Sequence, residues 1–208
     1  MGYSTDFTGC FSMSRPLTDT EKEYINGMSN TRRMKRDVNI HMEVFKGKYG
    51  NPFATGNTPE DIYGNDGEFF VNTDDQDDFG QGKDKSIIDY NTAPGLPTYK
   101  ETENMPWQER YTIQQSLIGD GKCQPGLWCQ WVIEDGTDEG TQVLVWDGGE
   151  KFYEYIPWLK YYIKKFFEPW GVKLNGEIIW EGEESEDKGK IVVVDNVVTI
   201  LVGKVVYQ

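Results

Sequence analysis

Leu174-Asn-Gly-Glu-Ile-Ile-Trp-Glu-Gly182 and, after a polar loop, Ile191-Val-Val-Val-Asp-Asn-Val-Val-Thr-Ile-Leu201 decide the fold. Two β-branched runs flank the two-residue Asp195-Asn196 break, which predicts a β-hairpin. Upstream, Glu177 to Glu183 alternates polar with apolar and places Ile178 and Trp180 on one side of a further strand. Asn175-Gly176 reads as a turn and Glu184 to Gly189 as a polar loop. Gly203 marks a bulge ahead of Val205 and Val206. Together these predict an antiparallel meander.

The same periodicity extends towards the N-terminus. Gly126-Leu-Trp-Cys-Gln-Trp-Val-Ile-Glu134 and Thr141-Gln-Val-Leu-Val-Trp146 predict a second hairpin around Asp135 to Gly140. Leu127, Cys129, Trp131 and Ile133 share one face, and Trp128, Gln130 and Val132 share the other. Trp146-Asp-Gly-Gly-Glu-Lys-Phe-Tyr153 turns the chain towards a helix that starts near Tyr155 to Pro157, because proline is tolerated only in a first turn. Ile156, Leu159, Ile163 and Phe166 fall at helical spacing, Lys160, Lys164 and Lys165 face solvent, and Pro169 to Gly171 stops the run. At the other end, Tyr3, Thr5, Phe7, Gly9, Phe11 and Met13 alternate with polar residues as a half-buried strand. Thr18-Asp-Thr-Glu21 is a capping box that opens a helix burying Tyr24, Ile25 and Met28.

Residues 38–115 differ in character. Glycine, asparagine and proline recur in Gly47 to Pro52, Gly56 to Pro59, Gly64 to Gly67 and Pro94 to Pro97. Only Glu68 to Val71 and Ser86 to Tyr90 look like strands. The expected architecture is a single α+β domain over 1–208: a mostly antiparallel sheet with two principal helices on one face. Residues 38–115 form a long irregular, loop-rich insertion pinned by Phe45, Tyr49, Phe53, Tyr63, Phe69, Phe70 and Trp107. Residues 116–208 form a hairpin-helix-meander core.

Charge bounds the partners. The 208 residues carry 35 acidic and 21 basic side chains, a net charge of −14. That field repels nucleic-acid phosphates, so direct binding to duplex DNA is not expected. No apolar run approaches the roughly 20 residues that cross a bilayer, and no signal peptide is recognisable, so no membrane association is expected. Three cysteines without a Cys-x-x-Cys pair fit neither a disulfide scaffold nor a zinc knuckle, and a reducing bacterial cytoplasm suits them. No cofactor is expected, and the oligomeric state is left open.

The only dense positive patch is Arg32, Arg33, Lys35 and Arg36. It reads either as a charged helix end paired with acidic neighbours or as an anion site with forked arginine donors. Trp128 and Trp131 supply aromatic faces that suit base stacking beside those arginines. The other candidates are weaker. Asp74 to Asp78 imitates a calcium loop, but Phe79 and Ser86 occupy two ligand positions. His41 is the single histidine, isolated in a strand-like or loop-like run, so neither a histidine triad nor a multi-histidine metal site exists. Cys123 and Cys129 lack an activating neighbour in sequence. Gly148-Gly149 sits between Asp147 and Glu150, which repel anions, and reads as a tight turn.

Met1-Gly-Tyr-Ser-Thr-Asp-Phe-Thr-Gly9, Thr31-Arg-Arg-Met34, Leu127-Trp-Cys-Gln-Trp131, Trp146 to Tyr153 and Leu174-Asn-Gly-Glu177 taken together resemble a group of small proteins of bacteria and tailed phages whose function is unknown. The resemblance implies an intracellular accessory role, in a host cell or during phage infection, and carries no catalytic residue across. The leading expectation is a non-catalytic binding protein, a phage accessory or anti-defence factor that captures an anionic small molecule such as a nucleotide. Two alternatives stand beside it. One is an inhibitor of a host protein acting through its acidic surface. The other is a carboxylate or metal enzyme using Asp147, Glu150 and the 74–78 run.

Overall fold

A computed structural model of the chain describes residues 2–71, 85–119 and 121–203. Asp74 to Asp78, Val205 and Val206 therefore lie outside the described residues. In chain order the elements are β1 (Thr5–Met13), α1 (Asp19–Asn30), β2 (Lys35–Arg36), α2 (Val38–Phe45), α3 (Pro59–Tyr63), β3 (Ile87–Asp89), α4 (Tyr99–Thr102) and α5 (Trp107–Ile118). They continue with β4 (Trp131–Asp135), β5 (Gln142–Trp146), α6 (Tyr155–Tyr162), a π-helical turn (Ile163–Phe167), β6 (Leu174–Gly182), β7 (Lys188–Val194) and β8 (Val197–Val202). The architecture is α+β with antiparallel sheets, as the periodicity predicts. The chain divides into two compact units, one made of residues 1–22 with 130–208 and the other of residues 23–129.

The first unit holds a six-stranded antiparallel sheet in the order β4-β5-β1-β6-β7-β8. Alternation puts Phe11, Trp131, Ile133, Leu144, Ile178, Trp180, Ile191 and Val193 on its buried face. Burying each such side chain contributes about 1.5–3 kcal/mol or, for tryptophan, somewhat more. Trp131 packs edge-on against Phe152, Phe7 and Phe11 at 5.2, 5.8 and 6.2 Å, and its indole N–H donates to the Tyr155 carbonyl at 2.9 Å. β1 and β6 close on two glycines: Gly9 and Gly176 adopt positive φ, and a Cβ on either would lie 2.4–2.5 Å from a carbonyl of the facing strand. The capping box forms as expected, with Glu21 accepting the Thr18 N–H at 2.8 Å and Thr18 Oγ1 accepting the Glu21 N–H at 3.3 Å. α6 starts where Pro157 allows and passes into the π-helical turn, whose wider winding lets the consecutive Phe166 and Phe167 both be buried.

The second unit is more helical than its sequence announces. α1 continues into it from the first unit and buries Tyr24, Ile25 and Met28. Val38, Tyr63 and Phe70 form one cluster, and Ala93, Leu96, Ile118 and Cys123 form another. Within residues 38–115 the described segments carry α2, α3, α4 and most of α5, none of them expected. His41 lies buried on α2 rather than in a strand or loop. Its ring sits 4.4–4.5 Å from those of Phe45, Tyr63 and Phe70, and its Nδ1 is 2.7 Å from Ser86 Oγ. Of the two strand-like pieces, Ile87–Asp89 pairs with β2, whereas Glu68 to Val71 turns, with the Phe69 N–H bonded to the Tyr63 carbonyl at 2.7 Å.

Candidate functional site

The basic run emerges from the end of α1 and is extended, not a helix end. Its backbone ties two loops together: the Arg33 N–H donates to the Leu127 carbonyl at 2.8 Å, and the Lys35 N–H to the Thr92 carbonyl at 2.9 Å. Its side chains diverge in role. Arg33 is fully buried and donates to the carbonyls of Phe70 and Glu68 and, through Nε, to Gln124 Oε1 at 3.2 Å. Arg36 is also buried, bonded to the Met34 carbonyl at 3.0 Å and stacked 4.4 Å from the Phe70 ring centre. Lys35 reaches the Leu96 carbonyl at 3.1 Å and Asp66 at 3.3 Å. Arg32 is half-buried, with Nη2 3.5 Å from Asn91 Oδ1.

Trp128 is 39% exposed in the same unit as these residues. Trp131 belongs to the sheet unit, where it is fully buried, so the two tryptophans share no face open to solvent. Gly148-Gly149 is a tight turn in which Asp147 Oδ1 accepts the Gly149 N–H at 2.7 Å. Among the described residues no group of three or more histidine, cysteine, aspartate or glutamate side chains is placed to hold a metal. No helix among them is long and apolar enough to cross a membrane.

The loops that the basic run ties together form the floor of a cleft of about 350 Å³, a size within the range of small-ligand sites. Its floor is Asn91 to Ala93, Leu96, Pro97 and Pro125 to Leu127, and its wall is α4 and α5. A reciprocal cap starts α4: Glu101 accepts the Thr98 N–H at 2.7 Å, and Thr98 Oγ1 accepts the Glu101 N–H at 3.3 Å. The Thr98 N–H, its hydroxyl and then Lys35 hold the Glu101 carboxyl below its usual range.

α5 opens after Pro106 and presents Trp107, Arg110, Tyr111 and Gln114 to the cleft. Those positions are i, i+3, i+4 and i+7, one face of a helix. Tyr99, Trp107 and Tyr111 are 67, 63 and 56% exposed, unusually bare for such large rings. The Arg110 guanidinium lies 5.2 Å from the Tyr99 ring centre. Its Nε, like that of Arg32, is buried without a hydrogen-bond partner. Buried donors are nearly always satisfied, so an unsatisfied guanidinium nitrogen on a cleft-lining arginine invites an acceptor.

Among the described residues Arg110 is the one charged side chain lining this cleft, and no carboxylate lines it, in a chain of net charge −14. Reading the sequence for dense charge finds Arg32 but misses Arg110, which stands alone among polar residues. The stripe at 107, 110, 111 and 114 is the signal that would find it.

The site is thus an aromatic cleft on an α+β protein, lined by no carboxylate among the described residues. The chain matches no protein-family model, no curated protein and no solved structure.

Proposed function

We propose that the protein is a non-catalytic binding protein that captures a planar anionic ligand, a nucleotide or a close analogue, in the cleft beside α5. The observation that carries this reading is Arg110. Its guanidinium, with an unsatisfied buried Nε, stands beside three exposed aromatic rings in a cleft that no acidic side chain lines among the described residues. Rings offer a stacking face to a base, and a forked guanidinium suits a phosphate. Arg32, whose Nη2 lies 3.5 Å from the cleft-lining Asn91, carries a second unsatisfied donor. The resemblance to small bacterial and phage proteins supports placing this capture inside a host cell, as an accessory or anti-defence step.

Thermal unfolding against a panel of nucleosides and nucleoside mono-, di- and triphosphates tests the reading. A true ligand at 100 times its Kd adds about 2.7 kcal/mol, a rise of several degrees in Tm. Arg110→Ala and Trp107→Ala should each weaken that response at least tenfold. Absence of any stabilising anion, or an unchanged response in Arg110→Ala, would sink it.

A further inference from the structure

β8 is an outer strand of the six-stranded sheet, and its sequence, Val197-Val-Thr-Ile-Leu-Val202, carries no charge and no proline. Outer strands are usually guarded by one or the other. The opposite outer strand, β4, is guarded: it ends in Glu134 and Asp135, and Asp135 pairs with Lys22 at 2.6 Å. Among the described residues β8 is bare on both faces. Val197 and Leu201 are 67 and 53% exposed on one side, Ile200 and Val202 39 and 70% on the other.

The backbone states what kind of partner fits. Asp195 and Asn196 both have positive φ, a type I′ turn that makes Val194 and Val197 a hydrogen-bonded pair. Val197, Thr199 and Leu201 therefore bond back to β7, and the Gly203 N–H, bonded to the Lys188 carbonyl at 2.7 Å, continues that parity. The N–H and C=O groups of Val198, Ile200 and Val202 point away from the sheet. An extended strand satisfies such a row, and neither a helix nor a small molecule does.

We propose that β8 pairs antiparallel with β8 of a second copy of this chain, about a two-fold axis at Ile200. An isologous contact must be self-complementary, and this strand is. Ile200 faces its counterpart, Val198 faces Val202, Thr199 faces Leu201, and Val197 faces Gly203, so uncharged residues meet throughout. The three outward-pointing positions give about six intermolecular backbone hydrogen bonds. In a chain of net charge −14, two copies meeting elsewhere bring carboxylates together, whereas here the Lys188 end of each copy meets the Asp195 turn of the other. The strip is narrow beside the roughly 800 Å² per partner of a standard interface. The pairing is therefore weak and concentration-dependent.

Sedimentation of the full chain between about 1 and 300 μM tests this, with the mass expected to rise from 23.9 kDa towards twice that value. Amide exchange at Val198, Ile200 and Val202 should slow with concentration, while Thr199, already bonded to β7, stays unchanged. Ile200→Pro deletes an outward N–H without touching the β7 ladder, and Val202→Lys places a charge opposite Val198. Each should raise the Kd at least tenfold. Val202 is exposed enough that its variant keeps the fold if Ile200→Pro does not. A monomer over the whole range, a dimer indifferent to Val202→Lys, or no change in exchange at the outward amides would each overturn the proposal.

Discussion

Asn196 and Leu174 hold each other twice. The Leu174 N–H donates to Asn196 Oδ1 at 2.7 Å, and the Asn196 N–H donates to the Leu174 carbonyl at 3.2 Å. Asn196 Nδ2 adds a third bond, to the Val172 carbonyl at 2.9 Å. One turn residue thus locks the β7–β8 hairpin to the entry of β6, while its φ of 71° occupies a region where asparagine is tolerated and most residues are not.

Asn196→Ala should therefore cost about 2–3 kcal/mol, from two lost side-chain bonds and a strained backbone. Asn196→Gly relieves only the strain and should recover about 1 kcal/mol of that. Urea unfolding of the three proteins measures the order; equal stability of the alanine and glycine variants would show that the backbone term is absent.

Arg33 is a staple of the second unit. It gathers the carbonyls of Glu68 and Phe70 and the Gln124 amide, segments 35 to 91 residues away in sequence. Arg33→Ala leaves buried acceptors without a donor and should cost about 3 kcal/mol or more. Arg32→Ala, at a half-buried position with one long hydrogen bond, should cost under about 1 kcal/mol. Chemical denaturation that ranks the two the other way would contradict the staple.

The elements that read most clearly in the sequence are those that face a core on one side. β1 and β6 alternate because a half-buried antiparallel sheet imposes period two, and β7 and β8 are legible instead as β-branched runs about the Asp195-Asn196 turn. α2 does not read as a helix: Val38, Ile40, Met42, Val44 and Phe45 are apolar in a strand-like density. It is helical because Asp37 Oδ1 accepts the Asn39 and Ile40 N–H groups at 3.0 and 3.2 Å and Lys46 closes it in a left-handed conformation. α5 hides for the opposite reason, since the face that matters is turned to a cleft and carries no hydrophobic period. The chemistry of the basic run is legible, but its acceptors are not. The carbonyls that surround Arg33 and Arg36 come from folded backbone, which no charge pattern records.

Acid should loosen the start of α1. Arg15 holds Glu21 through two 2.8 Å bonds, and with the Thr18 N–H it keeps the Glu21 carboxyl below its usual range. A depressed carboxyl favours folding above the unfolded value near 4.5 and loses that contribution as pH falls through the folded value. Arg15 is 38% exposed along its side chain, so solvent screening holds the effect to about 1 kcal/mol. Arg15→Ala should lower Tm at pH 7 and flatten the fall in Tm between about pH 5 and pH 3, the range in which a carboxyl titrates. A pH profile parallel to that of the parent would exclude the pair as its source.

Gly189 faces Trp180 across the β6–β7 pair, and the indole occupies the space that a side chain would take. A Cβ at Gly189 would lie 2.2 Å from Trp180 Cη2 and 2.4 Å from the Leu201 carbonyl. Backbone cannot yield as a flexible side-chain tip does, so Gly189→Ala should cost about 1–3 kcal/mol by overpacking. The displaced indole would also lose its bond to Asp187 Oδ1, now 3.1 Å. Trp180→Phe in the same background removes the larger clash and the indole donor together, and the double variant should be less destabilised than the sum of the single changes. Strict additivity in a double-mutant cycle would place the cost of Gly189→Ala on the Leu201 carbonyl alone.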